Sequence, residues 1–262
     1  MLFNERRRLY NYLYRIFFKK IHGTEPESYL FLPKNQLTYS ADHLYTLHNA
    51  DFINQPKFKE VYAEVKEIGG PLLEDYDIQW RIHVICWFAN FVKNLEGDFV
   101  DCGVNTGFCP MAVIKYTDFE RLDKKYYFFD TFYGLDPQYS NDYEMERHKN
   151  LGYGQNENLF EEVRQRFEPY NVEIVKGPVP KTLSDVKIEK VAYLSLDMNS
   201  VLPEVEALKF FWDKMVSGGV IILDDYGYPG CIEQKEAHDE FAKSKGVEVL
   251  SLPTCQGIIL KP

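Results

Sequence analysis

The chain has 262 residues, 45% of them apolar and 16% aromatic, which is enough for one large domain with a sizeable core and excludes a disordered chain. Lys and Arg total 30 against 40 Asp and Glu, a formal charge of −10, which argues against a nucleic-acid binder that works by displacing counterions. No apolar run reaches the ~18 residues of a membrane span; the longest, over 82–92, contains His83 and reads as a buried helix.

The charge is uneven along the chain. Within the first twenty residues Arg6, Arg7, Arg8, Arg15, Lys19 and Lys20 stand against Glu5 alone. Leu9, Tyr10, Leu13, Ile16, Phe17 and Phe18 interleave with them at helical spacing, so a basic amphipathic helix is expected. Such a helix suits docking on its own domain, contact within a homo-oligomer, or peripheral contact with an anionic membrane. Its apolar positions are broken by Arg15 and no small-residue cleavage site follows, so a cytoplasmic protein is expected. Cys86, Cys102, Cys109, Cys231 and Cys255 are odd in number and never spaced C-x-x-C, which fits reduced thiols. Residues 1–76 read as a helical extension and 77–262 as the main domain.

Over 77–95 the apolar residues Ile78, Ile82, Ile85, Phe88, Ala89, Val92 and Leu95 recur at three- and four-residue steps and predict a helix. Short apolar strands then alternate with helices. Strands are expected over 99–103, 125–130, 172–175, 191–197 and 220–224, and helices over 111–116, 161–167, 204–215 and 234–243. Gly218-Gly219 is read as the stop of the third of these helices. Two closing strands, over 247–252 and 257–260, are joined so closely that they must pair antiparallel. The pattern predicts an α/β fold with a mostly parallel, Rossmann-like sheet and an antiparallel last strand.

An open sheet of this kind binds its ligand beyond the carboxyl ends of its strands. Four strands end in an acid there: Asp101, Asp130, Asp197 and Asp224. After the first strand runs Asp101-Cys102-Gly103-Val104-Asn105-Thr106-Gly107, in which Gly103 and Gly107 permit close backbone approach. Asn105 and Phe108 stand where a dinucleotide-binding G-x-G-x-x-G loop needs glycine, which counts against an NAD(P)-dependent oxidoreductase. Asp130 is placed to accept both ribose hydroxyls of a nucleoside.

The D-x-G-x-N-x-G loop resembles the first motif of class I S-adenosylmethionine-dependent methyltransferases. Three longer stretches, over 97–104, 129–135 and 219–227, resemble the macrocin O-methyltransferase family, in order and spacing, across about 97–262. The resemblance implies methyl transfer to a hydroxyl of a sugar-containing small molecule. It implies that Asp101 meets the methionine amine, that Gly103, Val104, Asn105, Thr106 and Gly107 shape the cofactor loop, and that Asp130, Thr131 and Phe132 hold the ribose. Gly177 and Pro178 would border the adenine. Asp197, Asp224 and Asp225 match carboxylates that bind Mg²⁺ in metal-dependent members, with Asp197 and Asp224 taken as catalytic.

A bound divalent ion would relieve the repulsion among these acids and acidify the acceptor hydroxyl. The family's D-x-D-x-Y after the fourth strand is here Asp197-Met198-Asn199-Ser200-Val201, so its second acid has become an amide. That change keeps a non-catalytic, cofactor-binding scaffold open as an alternative. His148 lies in a long loop expected over 136–158, as a solvated residue or a base; His238 is expected on the surface. Arg81 and His83 read as helix-packing residues within reach of a cofactor carboxylate.

Overall fold

The computed structural model describes residues 2–22, 34–74, 76–149 and 153–262. They fall into two compact units, Met1–Ser40 with Tyr45–Asn49, and Ala41–Leu44 with Ala50–Pro262. The first unit carries the expected N-terminal helix, α1 (Leu2–His22). Leu13, Ile16, Phe17 and Ile21 are exposed on it and Phe18 is buried. Arg6, Arg7, Arg8 and Tyr10 lie outside the described side chains. Among the described residues no helix is long and apolar enough to cross a membrane. Two short strands follow, β1 (Tyr39–Ala41) and β2 (Leu44–Thr46), with Asp42 and His43 between them at φ 49° and 56°.

The second unit is built on a seven-stranded sheet: β3 (Asp98–Cys102), β4 (Tyr126–Asp130), β5 (Val172–Lys176), β6 (Val191–Leu196), β7 (Met215–Leu223), β8 (Leu250–Ser251) and β9 (Gly257–Leu260). The order is β5-β4-β3-β6-β7-β9-β8. Strands β3 to β7 pair in parallel, and β9 enters antiparallel between β7 and β8. The helices are α2 (Pro56–Gly69), α3 (Pro71–Glu74), α4 (Gln79–Val92), α5 (Phe108–Thr117), α6 (Asp142–Lys149), α7 (Leu159–Phe167), α8 (Val201–Trp212) and α9 (Ile232–Ser244).

Side-chain alternation along the strands divides the core into two layers. Phe99, Tyr126, Phe128, Tyr193 and Ile222 pack with Phe58 and Val65 of α2, Ile82 and Ala89 of α4, and Val163 of α7. Val100, Phe129, Leu194, Leu196 and Ile221 face the other way, onto Leu208 and Phe211 of α8 and Phe241 of α9. Both faces are covered, which is why these strands are apolar throughout rather than alternating. Truncating one of the fully buried rings, such as Phe128, removes about 3–5 kcal/mol of stability.

Three local expectations are corrected. Helix α8 ends at Trp212 and β7 begins at Met215, so Gly218-Gly219 lie inside a strand and do not stop a helix. Val191 pairs with Met215 but Tyr193 pairs with Val220, so the chain bulges between them. Gly218 has φ +80°, and a β-carbon on Gly219 would stand 2.9 Å from the Val216 carbonyl oxygen. Stop signals and bulges draw on the same residue type. Second, the loop expected over 136–158 contains helix α6, with acids in its first turn and Arg147, His148 and Lys149 in its last, which suits the helix dipole; residues 150–152 of that expectation lie outside the described residues. Third, 247–249 is not strand: the expected strand over 247–252 shrinks to the two-residue β8, and β9 makes its longer antiparallel pairing with β7.

Candidate active site

At the carboxyl edge of the sheet, the end of β3 is hydrogen-bonded to β4 on one side and to the end of β6 on the other. Gly103 donates its N–H to Phe129 O at 2.8 Å, and Asp197 donates its N–H to Cys102 O at 2.8 Å. Gly103 has φ +91°, and a β-carbon there would stand 1.9 Å from Asp197 O. Only glycine fits this crossing. Gly107 turns the chain into α5 at φ +88°, where a β-carbon would meet the Phe167 ring at 2.5 Å.

Asp130 holds the loop that follows. Its Oδ2 accepts the N–H groups of Val104 (2.6 Å) and Asn105 (2.8 Å), and its Oδ1 accepts that of Phe132 (2.6 Å). A carboxylate has about four acceptor positions. Three are therefore used by backbone, which leaves room for one outside donor rather than two. Asn105 and Phe132 sit at φ 51° and 60°, and Asn199 at φ 57°, so three loops on this edge each carry a left-handed non-glycine residue. Thr131 Oγ1 donates to Gly134 O at 2.5 Å and closes the turn beneath Phe132.

A cleft opens over this edge and encloses about 920 Å³, its open mouth included. Of the residues expected at a cofactor, Gly103, Val104, Asn105, Asp130, Thr131, Phe132, Gly177 and Pro178 line it. Asp197 lines it too, with Asn199, His148 and Tyr153. Asp101, Thr106 and Gly107 do not. Asp101 is buried on the α4–α5 side, its Oδ1 lacks a hydrogen-bond partner, and burial pushes its carboxyl up to about 8 against the pull of the Tyr126 hydroxyl. Thr106 offers its carbonyl to Arg166 Nη1 at 2.5 Å.

The acidic half of the edge is organised differently. Asp224 and Asp225 lie past the end of β7, where the chain turns, so both reach the same atom: Arg81 Nη1 donates to Asp224 Oδ2 at 2.7 Å and to Asp225 Oδ1 at 3.1 Å. Arg81 comes from α4 and also donates through Nε to Asp42 Oδ2 at 2.7 Å. Burial works against its charge, but Asp224, Asp225 and Asp42 hold the guanidinium firmly protonated. Gln256 Nε2 donates to Asp224 Oδ1 at 3.0 Å. Asn199 Nδ2 donates to Asp197 Oδ1 at 3.0 Å. Burial and the neighbouring Asp224 and Asp225 push the Asp197 carboxyl well above the usual range, and burial with Asp224 pushes Asp225 up to about 6.

The expectation of Mg²⁺ on Asp197, Asp224 and Asp225 does not fit this arrangement. Each of the three carboxylates already receives a donor from the chain. Among the described residues no three His, Cys, Asp or Glu side chains are placed to hold a metal ion. Arg81 supplies the positive charge on which that expectation rested.

Sequence reading missed several supports. Glu204, buried in the first turn of α8, accepts the N–H groups of Met198 (2.9 Å) and Asn199 (3.1 Å) and fixes the loop after β6. Glu144 of α6 accepts from Ser200 Oγ (2.9 Å) and from the Val201 N–H (2.8 Å), tying α6 to the start of α8. An acid early in a helix that follows a strand is the signal that marks Glu204. His238 is not on the surface: it is buried, with Nε2 3.0 Å from Glu204 Oε2. His148 is on α6 and half-buried, and burial with Arg147 holds it below the usual histidine range, hence neutral. His83 is stacked on Phe52 at 3.9 Å, as a packing residue.

A sequence profile of the macrocin-O-methyltransferase (TylF) family matches residues 86–250. No protein of curated function matches the sequence. Among solved structures, the O-methyltransferase NovP is similar at 19% identity and TM-score 0.62, over 78% of this chain and 98% of that one. CalS11, a calicheamicin methyltransferase, is similar at 14% identity and TM-score 0.57, over 81% and 94%. A putative caffeoyl-CoA O-methyltransferase from Staphylococcus aureus follows at 11% identity and TM-score 0.54, over 81% and 95%. At these identities the likenesses establish the fold: a class I methyltransferase sheet with its antiparallel strand β9 in place. With the profile spanning the glycine loop, Asp130, Asp197 and Asp224, and with G-x-G-x-x-G absent, the oxidoreductase alternative falls away; the chain belongs to the macrocin-O-methyltransferase family and is an S-adenosylmethionine-dependent O-methyltransferase.

Proposed function

We propose that the protein methylates a hydroxyl of a sugar or sugar-containing small molecule. The observation that carries this reading is one continuous cleft, whose wall runs from the glycine loop and Asp130 to Asp197 and His148. Membership of the macrocin-O-methyltransferase family supports a sugar-bearing acceptor. Tyr139 and Tyr153 give the far wall flat apolar faces with polar tips, a surface suited to a sugar ring.

S-adenosylmethionine, when bound, supplies a methyl group already activated on sulfur. Gly103, Val104 and Asn105 would take its adenosine against bare backbone, Asp130 would accept one ribose hydroxyl, and Gly177 with Pro178 would border the base. What remains for the protein is to aim an oxygen at the methyl carbon and remove its proton. Asp197 is the proton acceptor in this reading. Its raised proton affinity brings it nearer the working pH of a general base than an exposed carboxylate. Asn199 and Glu204 hold its loop. No step runs through a divalent ion, because the acids do not fit one.

Transfer of labelled methyl from S-adenosylmethionine to a panel of nucleotide sugars, glycosides and catechols tests this. Label in a sugar-bearing acceptor is expected. Label in catechols alone would replace the acceptor class. Cofactor binding with no transfer to any member would favour the non-catalytic scaffold.

A further inference from the structure

Asp224 and Asp225, past the end of β7, meet on one atom, and that atom belongs to a cation that the chain provides. We propose that Arg81 is a built-in replacement for a divalent ion, so that this site binds no divalent metal and methyl transfer is independent of one. The inference rests on the methyltransferase reading above but concerns a different half of the site.

Two independent observations carry it. The first is the clamp on Arg81. A single guanidinium nitrogen bridges Asp224 and Asp225, while Nε and Nη2 make a two-point contact with Asp42 at 2.7 and 3.3 Å. Planar two-point pairing of this kind fixes an arginine far better than one contact does. The Asp42 side chain is 5% exposed and that of Arg81 12%, so the pair is shielded from screening by solvent. Tyr76 donates its hydroxyl to Asp42 Oδ1 at 3.1 Å, and the His43 ring lies 6.4 Å from Tyr76 and 6.0 Å from Tyr228, which holds the 42–43 turn over the guanidinium. The second observation is Asn199. It stands where the family pattern has an acid, and it points an N–H at Asp197 Oδ1. An acid at that position would repel Asp197 and would gather with it around an ion; the amide instead satisfies it. Both features act in one direction, making each carboxylate the partner of a donor within the chain.

Arg81 is a positioning residue in this account. It does not line the cleft, and it acts by holding Asp224 and Asp225 and by setting the field at Asp197. Since the acceptor is unidentified, the test reads metal binding directly. Chelator-stripped protein is titrated with Mn²⁺ and free Mn²⁺ is followed by electron paramagnetic resonance, with S-adenosylhomocysteine present.

The native protein is expected to take up no Mn²⁺ in stoichiometric amount. Arg81→Met should gain one Mn²⁺ site at least tenfold tighter than any native uptake, and Asp224→Asn in that background should remove it. Asn199→Asp, which leaves the clamp intact, serves if Arg81→Met does not fold; it should also raise Mn²⁺ uptake. One Mn²⁺ bound by the native protein and lost in Asp224→Asn would overturn the proposal. So would an Arg81→Met protein that is folded by thermal melt and as silent toward Mn²⁺ as the native one, since the arginine would then not be what excludes the ion. Calorimetry with S-adenosylhomocysteine in chelator separates the two readings: absent binding removes the cofactor site, whatever the Mn²⁺ result.

Discussion

The two halves of the sheet's carboxyl edge are built in opposite ways. The half at β3, β4 and β5 is local. Gly103, Gly107, Asp130 and the residues Asp130 holds lie within thirty residues of one another, and the contacts of Asp130 are carboxylate to backbone N–H. The half at β6 and β7 is assembled at long range. Arg81 and Asp224 are 143 residues apart, and Arg81 and Asp42 are 39 apart. The local half makes a preformed cradle for a ligand. The distant half neutralises a cluster of charge that the first half does not have. The local half can consequently be recognised from short motifs, and the distant half cannot.

The largest effect that sharpens this comparison is expected at Asp197, the residue where the halves meet. Asp197→Ala should lower kcat by about 10²–10⁴-fold, the ordinary contribution of a general base. S-adenosylhomocysteine affinity should change less than about threefold, a difference of under 1 kcal/mol. Parallel loss of binding would place Asp197 in the cofactor half instead.

Gly103→Ala comes next. The added carbon meets Asp197 O at 1.9 Å and sits at φ +91°. Overpacking and backbone strain together should remove about 2–5 kcal/mol of stability, read by denaturant unfolding. An unchanged midpoint would mean that the ends of β3 and β6 are not locked as described. Asp130→Ala should weaken S-adenosylhomocysteine binding by about 1–3 kcal/mol, because three backbone N–H groups lose their acceptor. Calorimetry that shows no loss would detach Asp130 from the cofactor.

The smallest effect is pH-dependent. The folded-state pKa of Asp101 is raised to about 8, so its contribution to stability is present in acid and lost as pH rises toward that value. Asp101→Asn should therefore match the native protein near pH 4 and become the more stable of the two as pH climbs to 8. The gain should reach about 1–2 kcal/mol, since the amide gives back part of it at the Tyr126 hydroxyl. Thermal melts across that range check the sign. An advantage that shrinks with rising pH would contradict it.

The same division governs what could be read from the sequence. The sheet, its antiparallel closing strand and the cleft-lining residues Gly103 and Asp130 follow from strand patterns and short motifs, because a run of apolar residues ended by an acid or glycine is a local signal; Gly177 is reached only through the family resemblance. Helix α6 was hidden because its sequence is mostly polar and its buried residue is Glu144 rather than an apolar stripe. The Arg81 clamp was hidden for a different reason. Nothing near Arg81 in sequence announces Asp42 or Asp224, and only the sheet order brings them together. The acids themselves were legible; what neutralises them was not.

The central claim is that the cleft is an S-adenosylmethionine site. Titration calorimetry of the full chain, in chelator, against S-adenosylhomocysteine and separately against NAD tests it most directly. The account predicts one equivalent of S-adenosylhomocysteine bound and no heat from NAD. Binding of NAD, or no binding of S-adenosylhomocysteine by folded protein, would contradict it.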